Sequence, residues 1–269
     1  MALFKTNDNV EIFYEIEGEG KPVLFVNGWS CSFKFFKKNV KELKKKYQVI
    51  NFDYRGHGQS EKVSHGYRIS RFAKDTKDLL DHLEVKDVTA VGWSMGAAVL
   101  WSYLELFGNH RISKLVSIDQ SPSQYIGPDW EWGQNGCYDV EMFIRLIKDI
   151  EYNEEGVSRG LAETCLNHKP TQKEEDFLAG EIMKCSKMAK IEIMRDHTNL
   201  DWRNFLPKIN LPTLVFVGRK SQVFPWQGSK YVADVIPDSE LEIFENCGHM
   251  LFWDEPQKFN KRLSEFIDK

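Results

Sequence analysis

Residues 88–98 read VTAVGWSMGAA, and this stretch decides the fold. It begins with an apolar run typical of a strand buried in a parallel sheet and ends with the start of an apolar helix that continues to Phe107. Between the two lies a Gly-x-Ser-x-Gly pentapeptide with Gly92 and Gly96 flanking Ser94. A sharp strand-to-helix turn exposes the serine hydroxyl, and the glycines remove Cβ atoms that would collide around it. The stretch therefore predicts a nucleophilic serine at the turn of a strand–turn–helix unit.

The rest of the chain supplies the strands and helices that surround such a unit. Ala2 to Thr6 and Val10 to Ile16, around the Asn7-Asp8-Asn9 turn, predict an antiparallel hairpin. Apolar runs without alternation predict buried strands at Val23–Val26, Val49–Phe52, Val88–Val91, Leu115–Ile118, Thr213–Val217 and Leu241–Phe244. Helical patterns cover Ile69–Leu83, Met95–Phe107, Trp226–Val235 and Pro256–Ile267. Together they predict an α/β fold with a mostly parallel, doubly wound sheet.

The interval from residue 120 to residue 211 breaks this alternation, because it contains no convincing strand. Its helical patterns lie at Val140–Ile150 and Glu174–Met194. A connection of this length predicts a helical cap (120–211) inserted into a core made of residues 1–119 and 212–269. Aromatic residues near the start of the cap either face a substrate or hold the cap against the core: Tyr125, Trp130, Trp132, Tyr138 and Phe143.

A serine hydroxyl needs a general base, and His249 is the candidate among the seven histidines. It directly follows the last predicted strand, and loops at the carboxyl edge of an open α/β sheet are where catalytic groups gather. His57, in a glycine-rich turn, and His197, in the predicted cap, are the competing candidates. We therefore expect His249 to lie near Ser94 in space.

Bulk composition excludes several other classes of protein. The net charge of −4 and pI of about 6.0 argue against a nucleic-acid partner. The basic run Lys41 to Lys46 (KELKKK) is interpreted as a solvated helix face rather than a phosphate site. Five cysteines without a Cys-x-x-Cys pair predict neither a zinc site nor a disulfide framework. The N-terminus lacks the apolar core of a signal peptide and no apolar run is long enough to span a membrane, so a cytoplasmic location is expected.

The chain resembles the α/β-hydrolase family, in particular its branch of small esterases and cofactor-free haloperoxidases. Four segments in the family's order carry the resemblance: VLFVNGW from Val23, DYRGHGQS from Asp53, GWSMG from Gly92, and GHMLF from Gly248 followed by Glu255-Pro256. The resemblance covers the predicted core. For the cap, it extends only to the position of the insertion in the chain.

The resemblance implies an oxyanion hole formed by the backbone N–H groups of Trp29 and Met95. The family usually has His-Gly before the first of these residues, whereas this chain has Asn27-Gly28. A hydrolase of this kind is expected to take a small apolar acyl substrate and to need no metal or organic cofactor, and a monomer or homodimer is the default expectation. Each oxyanion donor typically lowers a reaction barrier by about 3 kcal/mol.

The acid of the catalytic triad departs from the family pattern. The resembling enzymes usually carry an aspartate after the seventh core strand, where this chain has Ser221. Asp119, which closes the sixth predicted strand beside the nucleophile strand, is the better candidate. The alternative is that Asp119 only caps the turn before Pro122, and Asp201 and Asp254 are weaker candidates.

Three functions compete at this stage. The first is hydrolysis of a carboxylic ester through an acyl-enzyme, with Ser94, His249 and Asp119 as the triad. The second keeps this site for peracid formation with hydrogen peroxide or for cleavage of a carbon–carbon bond. The third is a ligand sensor or signalling protein that retains the hydrolase fold.

Overall fold

The computed structural model describes residues 2–135 and 140–269. The strands are β1 Ala2–Lys5, β2 Glu11–Glu17, β3 Pro22–Val26, β4 Gln48–Phe52, β5 Val88–Trp93, β6 Ile112–Ile118, β7 Thr213–Gly218 and β8 Ser239–Phe244. They form an eight-stranded sheet in the order β1-β2-β4-β3-β5-β6-β7-β8. Neighbours from β4 to β8 pair in parallel. The predicted mostly parallel sheet is confirmed.

The N-terminal hairpin extends the sheet at one edge. β2 pairs antiparallel with β1 and also with β4, where Tyr14 lies opposite Phe52. In the connecting turn the Thr6 N–H donates to the Val10 carbonyl at 3.0 Å, and Asn9 adopts a φ of 65°. Asparagine tolerates this left-handed conformation better than most residues. The predicted hairpin is therefore confirmed.

Helices cover both faces of the sheet. They are α1 Lys37–Leu43, α2 Ile69–His82, α3 Met95–Phe107, α4 Val140–Tyr152, α5 Glu154–Thr164, α6 Gln172–Ile182, α7 Lys187–His197, α8 Trp226–Val235, α9 Leu251–Asp254 and α10 Pro256–Asp268, with 3-10 turns at Phe33–Phe36 and Leu206–Lys208. Leu24 and Val26 of β3 pack with α2, α3 and α8, whereas Val23 and Phe25 pack with α1 and α10. Burial on both faces explains why these strands are continuous apolar runs.

The basic run from Lys41 to Lys46 is only partly helical. Its lysines are exposed, as predicted, but α1 ends at Leu43 and the last three lysines lie in a turn. Lys44 pairs with Glu17 at 2.6 Å. The interpretation as a helix face is therefore wrong beyond Leu43.

The β6–β7 connection, residues 120–212, contains α4 to α7 and, among its described residues, no strand apart from isolated bridges. The single helical stretch predicted over Glu174–Met194 is wrong, because the chain leaves the helix after Ile182 and re-enters it at Lys187. Ser186 starts the second helix by accepting a hydrogen bond from the Ala189 N–H. We propose that this connection acts as a cap over the core.

Most of the described aromatic residues near the start of the connection pack against protein. The Trp130 ring lies 5.2 Å from Trp132 and 5.0 Å from Tyr231. Phe143 packs with Met194 and Trp29. The aromatic residues therefore serve mainly to hold the connection in place, while Tyr138 lies outside the described residues.

Candidate active site

Ser94 lies at the turn between β5 and α3, in a backbone conformation that side chains rarely adopt. Its φ is 53° and its ψ is −128°, and its N–H donates to the Ile118 carbonyl of β6 at 2.9 Å. A Cβ on Gly92 would lie 2.6 Å from the Gly96 carbonyl oxygen, and a Cβ on Gly96 would lie 2.1 Å from the Val26 carbonyl oxygen. Only glycine fits at either position, so the pentapeptide holds the serine in its strained turn.

His249 follows β8 and is buried with only 3% of its surface exposed. Its Nδ1 lies 2.7 Å from Oδ2 of Asp119. Trp93, the residue before the serine, donates its indole N–H to the His249 carbonyl at 3.1 Å. The rings of Trp93 and Phe224 lie 5.2 and 5.7 Å from the imidazole. An imidazole fixed through Nδ1 presents Nε2 as the nitrogen that can exchange a proton.

Asp119 directly follows β6 and is fully buried. Its φ of 43° lies in the left-handed region, so the backbone leaves the extended strand conformation at this residue. Oδ1 accepts hydrogen bonds from the Gly218 N–H at 3.3 Å and the Ser229 hydroxyl at 3.2 Å. Together with the imidazole, these donors give a buried carboxylate the partners that it requires. Ser229 and Gly218 were not predicted from the sequence, because their contacts with Asp119 arise from the packing of β7 and α8 against β6.

The other acidic candidates have different partners. Asp254 accepts from the Gly248 N–H at 2.8 Å, so it shapes the loop that carries His249 without reaching the imidazole. Asp201 pairs with Arg203 at 2.6 Å on the surface. Ser221, at the end of β7, accepts weakly from the Phe224 N–H at 3.4 Å. Of the carboxylates considered, Asp119 is the one in contact with His249.

The competing histidines occupy two different environments. His57 is buried against the rings of Tyr54 and Phe72, and its Nδ1 lies 3.0 Å from the Arg55 carbonyl. Burial lowers the pKa of His57 to about 4. His57 is therefore a neutral core residue, whereas His197 borders the same cavity as Ser94.

Ser94 and His249 open onto one cavity of about 40 Å³. Among the described residues, Ser94 Oγ makes no hydrogen bond to protein, His249 included. Catalytic hydrogen bonds are often long in free enzymes and shorten when substrate binds. Among the described residues, no lysine, arginine or carboxylate lines the cavity, and its apolar lining includes Trp29, Leu161, Met194, Val223 and Phe224.

Trp29 and Met95, whose backbone N–H groups are the expected oxyanion donors, both line this cavity. Met95 is the first residue of α3, where a helical N–H has no partner within the helix. The Trp29 loop is fixed by Asn27, whose side-chain amide donates to the Phe52 carbonyl at 3.1 Å. The Trp29 indole donates to the Lys190 carbonyl of α7 at 2.9 Å. Neither the Trp29 nor the Met95 N–H has an acceptor among the described residues.

The described residues also bear on metals, thiols and membranes. Within 2–135 and 140–269, no three His, Cys, Asp or Glu side chains converge as metal ligands. The cysteines at positions 31, 165, 185 and 247 are buried free thiols, and Cys137 lies outside the described residues. No helix in this part of the chain has the length and apolar character to cross a bilayer.

Known proteins resemble the chain along its whole length. The chain is 31% identical to a non-heme chloroperoxidase of Kitasatospora aureofaciens over 100% of both sequences. It is 25% identical to a bifunctional esterase/perhydrolase of Acinetobacter calcoaceticus over 99% of both. The structure of an esterase from Exiguobacterium antarcticum superposes with a TM-score of 0.94 at 27% identity, covering 99% of each chain.

A family model adds an independent match. The model for the alpha/beta hydrolase fold matches residues 21–146 and 190–256, which is more than half of the chain. The two matched stretches include both the strand–turn–helix unit of Ser94 and the loop of His249. This chain belongs to the α/β-hydrolase fold family.

Proposed function

We propose that this protein is a serine hydrolase that cleaves a small carboxylic ester through an acyl-enzyme. One observation carries the proposal: the imidazole of His249, 2.7 Å from the buried Asp119 carboxylate, borders the same cavity as the strained Ser94. A carboxylate in this position holds the histidine tautomer that leaves Nε2 able to take the serine proton. The esterase and chloroperoxidase relatives support a hydrolase site.

The reaction follows from these groups. Ser94 Oγ attacks the ester carbonyl carbon while its proton passes to His249 Nε2, and the backbone N–H groups of Trp29 and Met95 donate to the resulting oxyanion. Collapse of this intermediate expels the alcohol, which takes the proton from His249. Water then repeats the sequence on the acyl-enzyme and releases the acid.

The cavity also supports a limit on substrate size and charge. Its volume of about 40 Å³ favours a short acyl group, and its walls contain no lysine, arginine or carboxylate among the described lining residues. An anionic substrate would have to be desolvated there without a counter-charge, which is costly. The preferred ester is therefore small and uncharged.

Covalent labelling tests this proposal. A fluorophosphonate probe should label the wild-type protein on Ser94 and should not label Ser94→Ala. Ser221→Ala, which removes a serine shortly after β7, two strands from β5, is the matched control and should label like the wild type. Absence of both labelling and p-nitrophenyl acetate hydrolysis in the folded wild type would refute the proposal.

A second function uses the same acyl-enzyme with hydrogen peroxide instead of water. The relatives named chloroperoxidase and esterase/perhydrolase favour it. Attack by peroxide on the acyl-enzyme yields a peracid and regenerates Ser94. Peracid formed from acetate and hydrogen peroxide, measured by halogenation of a dye and lost in Ser94→Ala, tests this activity against the esterase rate.

A further inference from the structure

Two buried polar side chains of the β6–β7 connection, those of Gln124 and His197, line the cavity. Each has a polar atom with no hydrogen-bond partner among the described residues. Gln124 is 1% exposed and its Oε1 accepts no hydrogen bond, while His197 is 3% exposed and its Nδ1 has no partner among the described residues. Both line the cavity that Ser94 and His249 share. Unpaired buried polar atoms reduce stability, so their retention in a cavity wall points to a ligand that pairs with them.

The backbone that carries both side chains is held by hydrogen bonds. The Gln124 carbonyl accepts from the Gln134 N–H at 2.7 Å, which holds the two glutamines of the cavity wall together. His197 is the last residue of α7, and its carbonyl accepts from the Leu200 N–H at 3.2 Å. Both residues therefore belong to hydrogen-bonded parts of the cavity wall.

The chemistry of these groups selects an uncharged partner. Burial lowers the pKa of His197 to about 4, so its ring is neutral at neutral pH, with one nitrogen that donates and one that accepts. The Gln124 oxygen only accepts. A hydroxyl group on a substrate can donate to the amide oxygen and accept from an imidazole N–H.

We propose that Gln124 and His197 form a polar subsite that recognises a hydroxyl group on the ester substrate. This inference rests on the proposed ester hydrolysis and specifies its substrate class as hydroxylated small esters. A cavity built around a hydroxyl discriminates against the analogue that lacks it, because the buried partners are then left unpaired.

Matched ester pairs test the subsite. The acyl side is probed with p-nitrophenyl 3-hydroxybutyrate against p-nitrophenyl butyrate, and the alcohol side with 2-hydroxyethyl acetate against propyl acetate. In the wild type, kcat/KM should favour the hydroxylated ester of one pair by about tenfold or more. Gln124→Met and His197→Phe should each bring that ratio to within about threefold of one.

The chain offers matched controls for both substitutions. Gln120 is as buried as Gln124 and its Oε1 is also unpartnered, and His57 is a buried histidine with an unpartnered Nε2. Neither lines the cavity. Gln120→Met and His57→Phe should therefore keep the wild-type ratio even if they lower stability or overall rate.

The outcomes distinguish failure of the proposed subsite from failure of the proposed ester hydrolysis. Hydrolysis of all four esters with ratios near one in the wild type overturns the subsite and leaves the esterase proposal standing. Equal loss of the ratio in the control variants also overturns it, since the effect would then be structural. Absence of both hydrolysis and serine labelling overturns the esterase proposal and the subsite with it.

Discussion

The β6–β7 connection and the part of the core behind His249 hold polar side chains of different kinds around one cavity. On the core side, the Asp119 carboxylate has three partners, and the His249 Nδ1 is one of them. On the connection side, Gln124 and His197 carry unpartnered atoms. Satisfied groups are held in place, whereas an unpartnered group of a residue that lines a cavity can pair with a ligand. Under the two proposals above, the core performs the reaction and the connection recognises the substrate.

Removing the acid tests the core side most severely. Asp119→Asn should lower kcat for p-nitrophenyl acetate by about 10³- to 10⁴-fold, because an amide stabilises the wrong imidazole tautomer. Circular dichroism should show an unchanged fold. Asp201→Asn, which alters a surface carboxylate, should retain kcat within about twofold. Near-wild-type turnover in Asp119→Asn would remove Asp119 from the mechanism.

The buried histidines predict how stability depends on pH. Burial lowers the pKa of His57 and His197 to about 4 from 6.5, so the unfolded chain binds these protons first as the pH falls. Their contribution to the free energy of unfolding is complete above about pH 6.5 and is lost between pH 6.5 and 4. Burial raises the pKa of Asp53 to about 6, which acts in the opposite direction and offsets part of the loss.

A single substitution isolates the histidine on the connection side. When the pH falls from 7 to 5, the free energy of unfolding should decrease by about 2 kcal/mol less in His197→Gln than in the wild type. Urea titrations at the two pH values measure this difference. His65→Gln, which alters an exposed histidine, should follow the wild type, and an unchanged slope in His197→Gln would contradict the prediction.

Loss of one donor to the carboxylate should have a smaller effect. Ser229→Ala removes the hydroxyl that donates to Asp119 Oδ1, and we expect kcat to fall about tenfold, as for other hydrogen bonds to charged groups. Ser239→Ala removes a nearby hydroxyl that donates to the Ala233 carbonyl instead. If both variants lose the same activity, the hydroxyl of Ser229 has no special role.

The contact that joins the two regions should give the smallest change. Trp29→Phe keeps the backbone N–H but loses the indole bond to the Lys190 carbonyl, so kcat/KM should fall about threefold to fivefold. Trp202→Phe is the control, because the Trp202 indole N–H has no partner to lose. Unchanged kinetics in Trp29→Phe would show that the loop is held without α7.

The core was predictable from sequence because local and global signals agree there. The bounds of α3 and α8 match the predicted Met95–Phe107 and Trp226–Val235. Runs of apolar residues located the buried strands β3 to β7, since both faces of the sheet are covered there. The prediction that Leu241–Phe244 is buried is wrong, because β8 is an edge strand and most of it is only half-buried. Asp119 was predicted as a candidate from its place at the end of β6, and the structure places it against His249.

The connection was predicted less well because its helix boundaries depend on single capping residues. Asn153 starts α5 by accepting from the Gly156 N–H, and Ser186 starts α7 in the same way from the Ala189 N–H. Periodicity alone ran across the second boundary and did not identify α5. The role of Ser229 had no local signal at all, because its partner lies 110 positions away.

The wide spacing of the Asp119 contacts has a consequence for refolding experiments. Its partners Gly218, Ser229 and His249 are separated from it by 99, 110 and 130 positions. Contacts between distant positions close late, since chain entropy must first be overcome. Recovery of catalytic turnover after dilution from denaturant should therefore lag behind recovery of the helical circular dichroism signal. The return of activity would then report the final assembly of the sheet.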